Sequence, residues 1–313
     1  MAADKRRRRG TAGRRKIWIA AVAVFVVVDV ALVGLALSEQ GSDGGTASVA
    51  PVATTSSSPT ATPTPLPDLE PLTSPAGYLS AIDASTAYRI NAGDCAAGEA
   101  PNLEKSIDSG VSWVSNPVTT TLRSVTQFAA TSDTYAYMVG LNDACEANFT
   151  ATYTSGTGFG SYPDELLGVW YLNTADGTLH SPAGVQTAPC SDVVDVVGLD
   201  RLSAAVICSD RTFFHTSDGG GTWGTPSPLA GAMATSTGVG GYVVAQIGRD
   251  GCAGVQVSTL SAADLTPAVL GCYESTPDSL EGADIRVSGT QDSIWLQVAD
   301  TVVVSTDGGA TWA

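Results

Sequence analysis

Basic side chains are scarce over most of this chain. Beyond Tyr78 there are 7 of them (Arg89, Lys105, Arg123, Arg201, Arg211, Arg249 and Arg286) against 25 Asp and Glu. A nucleic-acid partner is therefore excluded, because a phosphate backbone is held by a basic face. Histidine is nearly absent too. His180 and His215 lie far in sequence from any pair of cysteines, and no C-x-x-C occurs. No metal site and no cofactor is expected on that inventory. Neither histidine neighbours a nucleophile-elbow pattern, so Ser-His-Asp chemistry has no visible start. Large apolar residues are almost missing from about Ser38 to Pro65, and such a segment cannot bury enough surface to order itself.

What is present divides the chain into zones. Residues 1–16 form a basic tail. Residues 17–37 are an apolar run interrupted by Asp29 and Gly34. About 20 apolar residues suffice to cross a bilayer. The basic flank keeps the N-terminus cytoplasmic and predicts export of the rest. The expectation is a single-pass plasma-membrane anchor. A cleavable signal peptide is the alternative, but its apolar part spans about 7–15 residues before a small-residue cleavage site. The run here is longer and offers no clean A-x-A. Asp29 reads as a charge tolerated near the outer interface. Residues 38–65, rich in Ser, Thr and Pro, read as a disordered stalk. Extended at about 3.1 Å per residue, it reaches on the order of 80 Å. Residues 66–313 are long enough for one extracytoplasmic domain.

All six cysteines fall in that domain: Cys95, Cys145, Cys190, Cys208, Cys252 and Cys272. An even number in an oxidising compartment predicts disulfides. Sequence proximity favours Cys190–Cys208 and Cys252–Cys272, which leaves Cys95–Cys145, although every other pairing stays open at this stage.

Three octapeptides share the pattern Ser/Thr-x-Asp-x-Gly-x-Ser/Thr-Trp: SIDSGVSW (Ser106–Trp113), TSDGGGTW (Thr216–Trp223) and STDGGATW (Ser305–Trp312). TYTSGTGF (Thr152–Phe159) reads as a copy that has lost its Asp and Trp. The chemistry is that of a turn. Asp108, Asp218 and Asp307 can accept backbone N–H bonds. Gly110, Gly220 and Gly309 can take positive φ. Ser106, Thr216 and Ser305 can cap the loop, with Trp113, Trp223 and Trp312 as apolar plugs beneath it. Flanking β-rich stretches such as TFFHT and TVVVST make each copy a hairpin turn.

The octapeptide resembles the Asp-box, or BNR repeat, of sialidase-like propellers and of the photosystem II assembly-factor group. The resemblance covers about Leu66 to Ala313. It implies an all-β propeller of four-stranded blades, with each box joining the third and fourth strands away from the usual binding face. Innermost strands are expected near Tyr78, Ser124, Asp192, Ala232 and Ala283, spaced by 46, 68, 40 and 51 residues. A propeller repeat runs about 40–50 residues. Five blades fit best, or six if Gly168–Pro182 belongs to a degenerate extra blade. The cysteines recur after second strands, as staples for the loops there. Residues 68–76 resemble Thr225–Ala232, so they are expected to supply the last blade's fourth strand and close the ring.

Chemistry is hard to find. A sialidase needs an arginine cluster and a tyrosine nucleophile; Tyr88-Arg89-Ile90 is the nearest match and reads as an ordinary strand. Acid pairs such as Asp164/Glu165 and Asp192/Asp195 abound, and 25 acids will place some pair within glycosidase reach by accident. Asp176, Asp218 and Asp307 are conceivable Ca²⁺ ligands, though the turn reading accounts for them. Tyr135, Tyr137, Trp170, Tyr171 and Trp295 either line a face for sugar or peptide or belong to the core. The resulting expectation is a non-catalytic binding or scaffold domain for an envelope protein or glycan. A glycan-active hydrolase and a ligand-free spacer are the alternatives.

Overall fold

The computed structural model describes residues 69–96, 100–275, 280 and 282–313. The basic tail, the apolar run and the Ser/Thr/Pro stretch lie outside the described residues. Among the described residues no helix is long and apolar enough to cross a membrane.

Six antiparallel sheets follow one another along the chain as six blades. Blade 1 comprises β1 (Gly77–Ala81), β2 (Ala87–Asn91), β3 (Asn102–Ser106) and β4 (Val114–Pro117). Blade 2 holds β5 (Gln127–Ala130), β6 (Ala136–Leu141), β7 (Ala147–Thr152) and β8 (Gly160–Ser161). Blade 3 has only β9 (Tyr171–Asn173), β10 (Thr178–Ser181) and β11 (Gly184–Gln186). Blade 4 runs through β12 (Val193–Gly198), β13 (Ala204–Cys208), β14 (Thr212–Thr216) and β15 (Ser227–Pro228). Blade 5 consists of β16 (Ala232–Gly238), β17 (Gly241–Gln246), β18 (Val255–Ser261) and β19 (Pro267–Tyr273). Blade 6 closes the order with β20 (Ile285–Gly289), β21 (Ile294–Val298) and β22 (Thr301–Ser305).

The second strands explain the cohesion. β13, β17 and β21 are buried at every residue. Blades cover both of their faces, so AAVIC, GYVVAQ and IWLQV are continuous runs instead of alternating ones. A latch recurs between neighbours. Tyr88 Oη donates to Asp133 O, Trp170 Nε1 to Asp200 O at 2.9 Å and Trp295 Nε1 to Asp83 O at 2.8 Å. In each case an aromatic at the start of one blade's second strand reaches the first turn of the next blade. The Trp295 latch joins blade 6 to blade 1.

Two expectations are corrected. The blade count is six, the alternative in which Gly168–Pro182 belongs to an extra blade, and not the five that fit best. β12 starts 66 residues after β5 because the interval holds the rest of blade 2 and a three-stranded blade: a 3₁₀ turn over Pro163–Gly168 leads directly into β9. The 174–177 loop after β9 lies beside the β2–β3 loop, sharing a cleft with Gly93 and Cys95. β9 therefore occupies a second-strand position, and blade 3 has no innermost strand. The five expected innermost strands are the five observed ones, β1, β5, β12, β16 and β20.

Residues 69–76 do not form the last blade's fourth strand. Pro71 and Pro75 have no N–H to give a ladder, and the segment crosses the face where the innermost strands begin. Leu72 N–H donates to Ser209 O at 2.7 Å, and Arg211 Nη1 to Glu70 O at 2.7 Å. Its likeness to Thr225–Ala232 reflects entry into an innermost strand: Ala76 O accepts Ala92 N–H as Gly231 O accepts Ile247 N–H. Beside β22, Ala313 exchanges two backbone hydrogen bonds with Val304.

Candidate functional site

The octapeptides occupy the face where third strands end. In the first, Ser106 Oγ donates to Asp108 Oδ1 at 2.8 Å and accepts Gly110 N–H at 2.9 Å. Asp108 also accepts Ser112 N–H at 2.9 Å and Ser112 Oγ–H at 2.6 Å. Thr216, Asp218, Gly220 and Thr222 repeat this set, as do Ser305, Asp307, Gly309 and Thr311. These donors hold the carboxyls down. Asp218 falls to about 2, chiefly through the Thr222 N–H, and Asp307 to about 2, chiefly through the Thr311 hydroxyl. The fourth copy keeps the shape without the carboxylate: Thr152 Oγ1 accepts Gly156 N–H at 3.0 Å, and Thr154 stands where the Asp would be.

The glycines answer a second demand besides φ, which is 85°, 93° and 95° at Gly110, Gly220 and Gly309. A Cβ on Gly110 would meet Val302 of blade 6 at 2.8 Å, and one on Gly220 would meet Gln186 of blade 3 at 2.7 Å. Each turn is pressed onto the preceding blade. The tryptophans do the same, and Trp113 Nε1 also donates to Gly110 O of its own turn at 3.1 Å. Trp113 packs edge-on against Trp295, Trp223 against Trp170 and Trp312 against Tyr273. Trp223 Nε1 donates to Thr187 O at 3.0 Å, whereas Trp312 Nε1 is buried without a hydrogen-bond partner among the described residues.

The opposite face carries the three disulfides, Cys95–Cys145, Cys190–Cys208 and Cys252–Cys272, the pairing that sequence proximity favours. Cys95–Cys145 ties the second-to-third-strand loops of blades 1 and 2. The other two bridges act within blades 4 and 5. Residues 69–76 run across this face as a strap and divide it. On one side lies a cleft of ≈ 540 Å³ lined by Pro75, Asp94, Cys95, Thr126, Leu172 and Thr174. On the other lies one of ≈ 310 Å³ bordered by Glu70, Arg211, Met233 and Asp284.

Beneath the strap, at the propeller axis, is a channel cavity of ≈ 100 Å³ lined by all five innermost strands. β12 bulges between Val193 and Asp195, and a bulge re-aims the side chain that follows it. Asp195 is thereby turned into the channel, 6% exposed. Among the described residues its Oδ1 accepts the adjacent Val196 N–H alone, at 2.9 Å. Burial pushes this carboxyl up to about 7, partly offset by that N–H. The Tyr78 phenol beside it is raised well above its usual range, by burial first and then by the Asp195 charge, with Arg286 opposing. Gln127 Oε1 is buried without a hydrogen-bond partner among the described residues. Arg286 is already committed: Nε and Nη2 pair with Asp284 at 3.0 and 2.5 Å, and Nη1 donates to Ile90 O at 3.1 Å.

The other sequence candidates do not converge. Arg89 bonds Glu104 at 2.6 Å and stacks 4.3 Å over Trp113. His180 stacks on Tyr171 at 4.4 Å, and burial lowers both His180 and His215. Trp170, Tyr171 and Trp295 are core, whereas Tyr135 and Tyr137 are only half-buried. Asp195 was visible only as one acid among many, because a bulge leaves no mark in the sequence.

No protein-family model matches the chain, and no curated protein does. Among solved structures it is similar to a GH74 xyloglucanase from Xanthomonas campestris, at 15% identity over 75% of this chain and 37% of that one, with a TM-score of 0.31. It is also similar to YCF48 bound to a D1 peptide (15% identity, 79% of this chain, 85% of that one, TM-score 0.30). A third is the SapL1 lectin in complex with alpha methyl fucoside (12% identity, 78% and 96%, TM-score 0.45). The chain spans well under half the length of that enzyme, 37%, and of a GH74 enzyme from Niastella koreensis, 38%. Its neighbours thus include enzymes, a peptide-bound protein and a lectin, and the chain itself is a six-bladed β-propeller.

Proposed function

We propose that this chain is a membrane-anchored, extracytoplasmic Asp-box propeller that binds a protein or glycan of the cell envelope without catalysing a reaction on it. One observation carries the reading: all three disulfides and both open clefts share the face opposite the octapeptide turns. Loops held by covalent bridges lose less freedom on binding, which is how preorganisation raises affinity. The strap is the continuation of the stretch we take as the stalk, so the recognition face and the anchor connect through the same segment.

The test uses the full chain in its native membrane, with a photo-crosslinking residue at Thr174 in the larger cleft or at Thr306 on the turn face. A discrete adduct from Thr174 and none from Thr306 is the expected result. Adducts from Thr306 alone, or none from either position, would sink the reading.

A further inference from the structure

The shortened third blade covers the facing flank of blade 2 only in part. Along β6, Ala136 and Met138 face blade 1, while Tyr137 and Val139 face blade 3. Val139, Phe149 and Ala151 are closed over by Tyr171. Leu166 of the 3₁₀ segment and Val169 just after it pack beside it, while the end nearest the turn face presents exposed rings. Four tyrosines fill it. Tyr137 stacks on Phe149 at 5.1 Å and 10°, and Tyr135 follows at 6.3 Å. Tyr153 lies 4.8 Å from Tyr135, and Tyr162 meets Tyr153 edge-on at 5.9 Å. The row runs from the channel wall, which Tyr137 helps to line, out to the rim, where Tyr153 is 59% and Tyr162 37% exposed. Four of the chain's 9 tyrosines are gathered at one place, where a solvent-facing flank of this kind is ordinarily broken up by polar residues.

Asp164 and Glu165 stand in the first turn of the 3₁₀ segment directly after Tyr162, and the Glu165 charge is felt at Tyr135. The platform therefore combines flat apolar ring faces, phenol O–H groups that donate and accept, and carboxylate acceptors. That set matches a pyranose ring, which presents a patch of C–H bonds on one face and hydroxyls at its edge. The carboxylates repel uronic and sialic acids and favour neutral or amino sugars. We infer that the Tyr135–Tyr137–Tyr153–Tyr162 platform binds a neutral or amino-sugar pyranose of a polysaccharide. The inference rests on the binding reading above but places the sugar at the blade 2–blade 3 flank instead of the disulfide face.

The experiment uses the purified full chain in detergent, titrated with three probes: a chito-oligosaccharide, a neutral β-glucan oligosaccharide and polygalacturonate. Binding of either of the first two is expected, weakened roughly tenfold by Tyr153→Ala and by Tyr162→Ala. Tyr153→Phe retains most of it. Both rings are exposed, so circular dichroism of the alanine variants should match the parent. The proposal is overturned by failure of both saccharides to bind, by unchanged affinity in both alanine variants, or by preference for polygalacturonate. Displacement of the saccharide by a synthetic peptide of residues 55–67 would overturn it as well, in favour of a Pro-rich occupant. A Thr174 crosslink that persists in Tyr153→Ala separates the two readings: the disulfide-face reading then stands whatever becomes of the platform.

Discussion

On the turn face, three blades use the same bonds to within a few tenths of an ångström: the Gly110, Gly220 and Gly309 N–H groups reach their hydroxyls at 2.9, 3.1 and 2.8 Å. On the disulfide face no two blades use the same device. One bridge joins two blades, one ties a connection to a second strand, one ties a loop to an outer strand, and a strap overlies them. The turn's own hydrogen bonds close within eight residues, so its shape can be copied from blade to blade, with its glycine and tryptophan fitted to the blade before it. The opposite face is assembled from parts distant in sequence, and each part can differ. Constancy therefore marks what holds the propeller together, and variety marks where recognition can be built.

The largest test of this contrast is removal of Cys95–Cys145 by a double change to Ser. The bridge closes a separation of 50 residues, and loop entropy gives a loss of about 4 kcal/mol. Chemical denaturation without reductant measures it. A loss under about 1 kcal/mol would mean that the bridge follows the fold and does not brace it.

Next is Asp195→Asn, read as a pH profile. The folded carboxyl titrates near 7 against an ordinary value of 3.8. The native state thus holds a proton that the unfolded chain has lost, and stability declines as pH rises between those values. Above about pH 7 the decline stops. The variant should be more stable than the parent by roughly 2–4 kcal/mol at pH 8 and equal to it near pH 4. A parallel offset at every pH would refute the assignment.

Thr216→Val removes a buried hydroxyl that serves Asp218 and Gly220, and should cost about 1–2 kcal/mol. Ser305→Ala should cost about as much, and the double variant should lose the sum within about 0.5 kcal/mol. Clear non-additivity would show that the turns are coupled around the ring. The smallest effect is the acid titration of the turns. With Asp218 and Asp307 depressed to about 2, their contribution is intact above about pH 4. It fades as pH falls through 2, which carboxyl NMR would resolve.

Much of this architecture is legible in the sequence where it is local. The octapeptides announce the hairpin turns, and the starts expected at Tyr78, Ser124, Asp192, Ala232 and Ala283 fall within three residues of the observed strands. Blade 3 escapes a count of innermost strands because it has none, and its first strand is only three residues long. The strap misleads by imitation: Ala76 leads into β1 as Gly231 leads into β16, whatever precedes either. Asp195 and Gln127 gain their significance from a bulge and a channel, and neither is written in the neighbouring residues. Tyr135 and Tyr137 look like core strand residues, and only the missing neighbour leaves them half uncovered.

That missing strand has a consequence for counting. Six equal blades would repeat one surface six times around the axis, and a partner could settle in any of several rotations. Here one sector is unlike the rest, so the rotational degeneracy is broken. A partner that reads that sector is fixed in azimuth, one copy per propeller.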